Sequence, residues 1–341
     1  MDSIQKIIWS ERFEAKRALE LVIRLQKFFA TELESLGGDF RSVSWARDAG
    51  RHGGGERFES QDGEFFNRGS INISQVQYED DLKRPLESAT ALSAIVHPND
   101  PRHPSLHLHI SFTQRKGEEG TWRMMGDLNP SQPTEDGNEF RKALKKFDIQ
   151  VDVDAFAQGD HYFWIPALER HRGVCHFYLE AYRGQDFETD LQLAEDFGMK
   201  TISTYAELLK TKFEGAASTE QKIRQRKYHT LYFFQVLLLD RGTTAGVLVH
   251  DQNDEGILGS LPARVDLPLL KSWHSKLPEM QGLLLEKMIA VLDEGGGAID
   301  GGVKQQLART LRLFYKSQPE ALKFQAKALS TAETSSPHLP S

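Results

Sequence analysis

The sequence predicts an α+β protein built on a large, mostly antiparallel β-sheet. Short segments with strand character follow one another between residues 71 and 126, instead of alternating with helices. This clustering favours an antiparallel sheet over a doubly wound parallel one. In addition, no GxGxxG or Walker motif follows a strand, so nothing indicates a nucleotide-binding fold.

An amphipathic helix is predicted over residues 11–36, where apolar side chains recur three and four positions apart. The pair Gly37–Gly38 is typical of a helix end. The Gly- and Arg-rich segment 45–69 that follows is interpreted as a loop. Five strands come next, bounded by Pro, Gly, Asn and Asp. They are INISQVQ (71–77), ALSAIVH (91–97), SLHLHISFTQ (105–114), TWRMMG (121–126) and GVCHFYLEAY (173–182).

Further helices are predicted over residues 135–147 and 186–214. The segment HTLYFFQVLLLDRGTTAGVLVH (229–250) predicts a β-hairpin with a tight turn at Asp240–Gly242 and a buried first arm. From about residue 281 the pattern is again helical. We therefore expect one domain over residues 1–330 with a helical C-terminal extension, and a disordered tail over 331–341.

The composition excludes several classes of function. A net charge of −7 gives no reason to expect nucleic acid as a partner. The single cysteine, Cys175, allows neither a disulfide within the chain nor a cysteine-based zinc site. No apolar run is long enough to span a membrane, and the first residues do not resemble a signal peptide. We expect a cytoplasmic protein.

Four histidines fall within HPNDPRHPSLHLH, residues 97–109. In a strand, His107 and His109 share one face about 7 Å apart. With His97 at the end of the preceding strand, they could hold a metal ion or, when protonated, an anion. They could equally form a solvated polar face. No carboxylate stands at an obvious ligand spacing, so the solvated face is the simpler interpretation.

Three further motifs carry charged residues, and the first of them has both a structural and a functional interpretation. In DRGTT, Asp240 and Arg241 could cap a turn and cover the end of the sheet, which is the simpler interpretation. They could also act as a proton acceptor and as a fork for a carboxylate. Asp127 in GDLNP fits a turn former, and RHRGV (170–174) fits a solvated basic face.

Taken in order along the chain, these fragments resemble the oxygen-dependent coproporphyrinogen-III oxidase family. SAIVHPNDPRHPSLHLH resembles the family's serine, His-Pro-x-Asn-Pro and Pro-Thr-x-His. TWRMMGDLNP resembles its Trp-Trp-Phe-Gly-Gly-Gly-x-Asp-Leu-Thr-Pro. LLLDRGTTAGVLV and DEGILGSLP resemble its Asp-Arg-Gly-Thr-x-Phe-Gly-Leu and Glu-Ser-Ile-Leu-Met-Ser-Leu-Pro. The resemblance extends from about residue 20 to about residue 290.

The resemblance implies a broad antiparallel sheet with helices on both faces, assembled as a homodimer. It also implies a step of haem biosynthesis, in which two propionates of coproporphyrinogen III are oxidatively decarboxylated to vinyl groups. Molecular oxygen is the co-substrate, no organic cofactor is needed, and a divalent metal is a further possibility. The residues implied are His107, Asp240 and Asp127 in catalysis; Ser93, Arg241, His109 and Glu255 in substrate binding; and His97 and His107 at a metal.

The chain also departs from the family pattern. The family follows its strand histidine with Asn-x-Arg, whereas His109 and Ser111 stand here, so a substrate-binding arginine is missing. Cys175 and His176 replace a pair of glycines on another strand. These departures lead to an alternative hypothesis, a homologue that binds a porphyrin or another polyanion without turnover.

Overall fold

A computed structural model describes residues 7–61, 63–249 and 252–326. Its centre is a seven-stranded antiparallel sheet in the order β1-β2-β3-β4-β5-β6-β9. The strands are β1 (Arg41–Ala46), β2 (Gly53–Gln61), β3 (Phe66–Gln77), β4 (Leu86–Pro98), β5 (Ser105–Arg115), β6 (Thr121–Asn129) and β9 (Cys175–Tyr182), and β7 (Trp164–Ile165) pairs with β8 (Arg170–His171). The α+β fold class is confirmed.

One face of the sheet is apolar. Because successive side chains of a strand point to opposite faces, every second residue of β3 to β6 and β9 enters the same core. That core contains Ile71, Ile73, Leu92, Ala94, Leu108, Ile110, Met124 and Phe177. Three helices pack against this face: α1 (Phe13–Glu34), α2 (Asp136–Gln150) and α4 (Phe187–Leu209).

The opposite face of the sheet is largely polar, and a second helical layer lies on this side. Its core includes Ile95 of β4 and the apolar side chains of α5 and the C-terminal helices. The helices of this layer are α5 (Thr219–Leu238), α6 (Arg241–Val249), α7 (Asp254–Ile257), α8 (Leu267–Ser272), α9 (Glu279–Asp293) and α10 (Gly301–Ser317). The helix α3 (Ala155–Tyr162) packs against β9 at the edge of the sheet, where Phe156 enters the apolar core and Tyr162 packs on Tyr178. Helices therefore flank both faces of the sheet.

The predicted hairpin over residues 229–250 is wrong. Residues Thr219–Leu238 form α5, and Arg241–Val249 form α6, so Asp240 lies between two helices. Every residue from Tyr228 to Leu238 is buried. A helix buried on all sides has no polar stripe, and an apolar run of this kind cannot be told from a buried strand by periodicity. The decisive signal lies upstream, where Ser218 and Gln221 form a capping box.

The predicted loop over residues 45–69 is also wrong, because β2 and the first residues of β3 lie within it. Its glycines serve close backbone approach between strands. A Cβ atom at Gly53 would lie 2.0 Å from the carbonyl oxygen of Gln75, and one at Gly55 would lie 2.1 Å from that of Ile73. A glycine run therefore marks tightly packed strands here, although glycine usually marks a turn.

The other elements follow the sequence patterns. The helix predicted over residues 11–36 is confirmed as α1, and that over 186–214 as α4. Within the described ranges no helix is long and apolar enough to cross a membrane. The tail predicted to be disordered, 331–341, lies outside the described residues.

Candidate active site

A cleft with about 1120 Å³ of empty space, counting its open mouth, lies on the polar face of the sheet. Its floor includes one row of adjacent residues across five strands. These are Asn72, Ser93, His109, Met125 and Tyr178. Residues of β1, α3, α6 and α7 also line the cleft, among them Trp45, Tyr162, Thr243 and Ile257.

Asp240 is the one carboxylate among the residues that line this cleft in the described part of the chain. The Tyr162 hydroxyl donates a hydrogen bond of 2.7 Å to its Oδ1, and the Thr243 backbone N–H donates one of 2.7 Å to its Oδ2. The second bond is that of a helix N-cap, because Asp240 directly precedes α6. Asp240 therefore combines the capping role predicted for DRGTT with a fixed position in the cleft.

His107 lines the cleft next to a buried arginine. Nη2 of Arg172 lies 3.1 Å from Nδ1 of His107. Burial lowers the pKa of His107 well below its usual value, and the charge of Arg172 lowers that pKa further. Because the guanidinium can only donate, Nδ1 must be the acceptor and the neutral ring must carry its proton on Nε2. His107 is therefore a hydrogen-bond donor at its other nitrogen.

Asp127 lies beneath the cleft and is not part of its lining. Its carboxylate accepts hydrogen bonds from Arg172 and from Asn129 Nδ2, the latter at 2.9 Å. Arg172 Nη1 also donates to Gln235 Oε1 at 2.7 Å. The side chains of Arg172 and Asp127 are 1% and 0% exposed. Asp127 thus holds Arg172 against His107, and the solvated face predicted for RHRGV is wrong at Arg172.

His109 and Ser93 are neighbours in the floor row, where they pair across β4 and β5. Burial lowers the pKa of His109 to about 3, with the charge of Arg123 as the second cause. His109 is therefore a neutral, polar part of the floor at physiological pH. Its Nε2 lies 3.0 Å from the Ser111 hydroxyl, so these two replacements of the family pattern contact each other.

Comparison with known proteins identifies the family. A family model described as coproporphyrinogen III oxidase matches residues 17–290. The chain belongs to the coproporphyrinogen III oxidase family. It is 30% identical over 241 residues to the oxygen-dependent coproporphyrinogen-III oxidase of Rickettsia akari (strain Hartford), covering 66% of this chain and 84% of the relative. It is also 30% identical over 243 residues to the enzyme of that name from Rickettsia bellii (strain OSU 85-389), covering 67% and 85%.

Two of the substrate-binding residues implied by the family resemblance, Arg241 and Glu255, lie outside the cleft lining. Arg241 is half-buried at the start of α6, directly after Asp240. Glu255 is exposed on α7, and its Oε1 accepts a hydrogen bond of 2.8 Å from Gln305 of α10. Their roles in substrate binding stay predictions, while Ser93, His107, His109 and Asp240 do lie together in the cleft of this coproporphyrinogen oxidase family member.

The metal site implied at His97 and His107 does not fit the geometry. His97 is fully buried outside the cleft lining, where Nε2 donates to the Ser260 carbonyl oxygen at 3.1 Å and Nδ1 lies 2.9 Å from the Ser105 hydroxyl. Both of its nitrogens therefore have protein partners. Across residues 7–61, 63–249 and 252–326, no group of three His, Cys, Asp or Glu side chains could hold a metal ion.

Several polar residues of this family member's cleft were not among the residues predicted from the sequence. They are Arg123, Tyr162 and Tyr178 in the lining, and Arg172 beneath it. One signal for Arg123 was present in the sequence. Arg123, Met125 and Asp127 alternate with apolar Met124 along β6, so they share a face with each other. An arginine at this position of a central strand indicates a polar sheet face.

Proposed function

We propose that the chain is an oxygen-dependent oxidase that converts coproporphyrinogen III to protoporphyrinogen IX in haem biosynthesis. Membership of the family and the names of the relatives support this function. The observation on which it depends in the chain itself is the geometry of Asp240. Its carboxylate is held by two hydrogen-bond donors and faces a cleft on the polar face of the sheet.

Each of the two steps removes CO2 and two electrons from a propionate side chain and leaves a vinyl group, and O2 accepts the electrons. The chain must hold the propionate and move protons. Asp240 is placed to accept a proton from the substrate, because its carboxylate is fixed toward the cleft by Tyr162 and Thr243. His107 offers its Nε2–H as a donor to the substrate. Asp127 acts through Arg172, which sets the tautomer of His107.

The replacement Asp240→Asn tests this role directly. Asparagine keeps the helix cap but removes the basic carboxylate, so we expect turnover to fall by about 10²- to 10⁴-fold with little change in thermal stability. The assay incubates the purified protein with coproporphyrinogen III in air and follows protoporphyrin fluorescence after oxidation. Asp186→Asn is the matched control, since Asp186 caps α4 on the other side of the sheet. A normal rate in Asp240→Asn would contradict the role of Asp240.

The second candidate is a homologue that binds a tetrapyrrole without turnover. A specific observation favours it. Counted back from the shared Asp-Leu, Arg123 and Met125 stand where the family motif has glycines, and both line the cleft. Binding of coproporphyrin III without any protoporphyrin formed, while a known oxidase works in parallel, would select this candidate and reject the first.

We further propose that the protein acts without an organic cofactor, with O2 as co-substrate, as a cytoplasmic homodimer. Family resemblance supports these points. Turnover by protein that has been unfolded, freed of small molecules by dialysis and refolded without added cofactor tests the absence of an organic cofactor, and dialysis against a chelator tests separately whether a divalent metal is needed. Light scattering of the purified protein tests the dimer, and a mass of one chain at assay concentration would reject it.

A further inference from the structure

Arg123 extends from β6 into the cleft. One nitrogen of its guanidinium, Nη2, donates a hydrogen bond of 2.6 Å to Oε1 of Glu180 on β9. The Arg123 side chain is 32% exposed, whereas that of Glu180 is 6% exposed. The other guanidinium nitrogens have no hydrogen-bond partner within the described ranges. Arg123 is therefore held from one side and keeps donors toward the cleft.

Arg123 is also the one cation among the described residues that line the cleft at neutral pH, because burial keeps His107 and His109 neutral. Burial by itself lowers the pKa of Arg123, but neighbouring tyrosines and carboxylates outweigh it and raise that pKa above its usual value. Arg123 is therefore the fixed positive charge that an anionic group meets when it enters this cleft.

The backbone opposite Arg123 is distorted. β6 and β9 pair at Trp122–Tyr182 and again at Met124–Leu179, so Glu180 and Ala181 together face the single residue Arg123. This is a β-bulge, a feature that redirects side chains and occurs next to active sites. Ala181 has a φ of 51°, which is strained for a residue other than glycine. The bulge brings the Glu180 carboxylate against the guanidinium of Arg123.

We infer that Arg123 binds a carboxylate side chain of the substrate in this cleft. The inference rests on the proposed function, since a tetracarboxylate such as coproporphyrinogen III supplies the anion. A guanidinium matches a carboxylate with two parallel hydrogen bonds, and the donors of Arg123 that face the cleft are available for it. Ser111 pairs with Arg123 across β5 and β6, so Arg123 restores a guanidinium beside the position where the family's strand arginine is replaced.

Equilibrium binding of coproporphyrin III, which is not turned over, tests the inference separately from catalysis. Arg123→Gln should weaken binding by roughly 10- to 100-fold, and Arg123→Lys should weaken it less because one charge remains. The tetramethyl ester of coproporphyrin III carries no carboxylate, so its affinity should not change in either variant. Arg24→Gln is the matched control, because Arg24 pairs with Glu195 at 3.0 Å between α1 and α4.

Glu180→Gln supplies a test with the opposite sign. The Glu180 carboxylate competes with the substrate for Arg123, so its removal should tighten coproporphyrin III binding severalfold. If the pair were purely structural, binding would be unchanged or weaker. Equal affinities in wild type and Arg123→Gln, or equal losses for the acid and its ester, overturn the inference. If Arg123→Gln does not fold, the absence of tighter binding in Glu180→Gln overturns it. Charge-dependent binding without turnover would reject the proposed function and leave this inference intact.

Discussion

Two of the arginine–carboxylate pairs on the polar side of the sheet, Arg172–Asp127 and Arg123–Glu180, differ in how many of the arginine's donors have partners within the protein. Arg172 and Asp127 are almost fully buried, and Arg172 makes hydrogen bonds to Asp127, His107 and Gln235. Arg123, paired with Glu180, keeps a third of its side chain exposed to the cleft. An arginine–carboxylate pair therefore has a structural role where the arginine's N–H donors bond within the protein, and it can bind a ligand where some of those donors face a cleft.

The largest expected effect on stability is at the buried pair. Asp127→Ala leaves the Arg172 charge buried without its carboxylate, so we expect the free energy of unfolding to fall by about 3–5 kcal/mol. Urea unfolding followed by circular dichroism measures it. The double replacement Asp127→Leu with Arg172→Met removes both charges and should recover much of that loss. A loss below about 1 kcal/mol in Asp127→Ala would remove the distinction between the two pairs.

Acid should destabilise the fold through its buried, neutral histidines, one of which contacts Arg172. Burial lowers the pKa of His97 and His107, and that of His229 to about 3. A lowered pKa in the folded state means that the unfolded chain binds protons first as the pH falls. The stability that these neutral rings contribute is therefore complete above about pH 6.5 and is lost progressively below it.

The expected slope is about 1.4 kcal/mol per pH unit for each such histidine, between its unfolded and folded pKa values. Urea unfolding between about pH 7 and pH 5 measures the slope. His229→Gln should reduce it by one histidine's share, whereas a replacement of the exposed His274 should have little effect. A slope that does not change in His229→Gln would contradict a neutral His229 in the folded state.

The smallest effects are expected at the partly exposed pair and at the surface. Glu180→Gln should lower the free energy of unfolding by about 1 kcal/mol, since the Arg123 side that faces the cleft stays hydrated. Arg24→Gln, at a surface ion pair, should cost less than about 1 kcal/mol. Chemical unfolding of both variants beside Asp127→Ala gives the ranking. An effect of Glu180→Gln as large as that of Asp127→Ala would show that both pairs are structural.

Much of the sheet and part of the cleft are predictable because strand patterns are local. The alternation in β3 to β6 predicts which side chains share a face, and the family motifs identify Ser93, His107, His109 and Asp240, which the structure brings into one cleft. Neither the burial of Arg172 nor the cleft position of Arg123 follows from the motifs. A charged residue next to a strand is usually solvated, so only the packing of α5 and of Phe163, directly after α3, around Arg172 reveals otherwise.

By itself the sequence determined the fold class, the main strands, the family and the polar character of one sheet face, because these depend on periodicity and on short motifs. Only the tertiary structure decided that residues 219–249 form helices, since a segment buried on all sides has no alternation of apolar and polar residues that would distinguish a helix from a strand. It also decided the environment of each charge. The residues next to Arg172 and Arg123 in the sequence do not show which of the two is buried. The difference in their exposure arises from neighbours that are distant along the chain, such as Gln235 for Arg172 and Glu180 for Arg123.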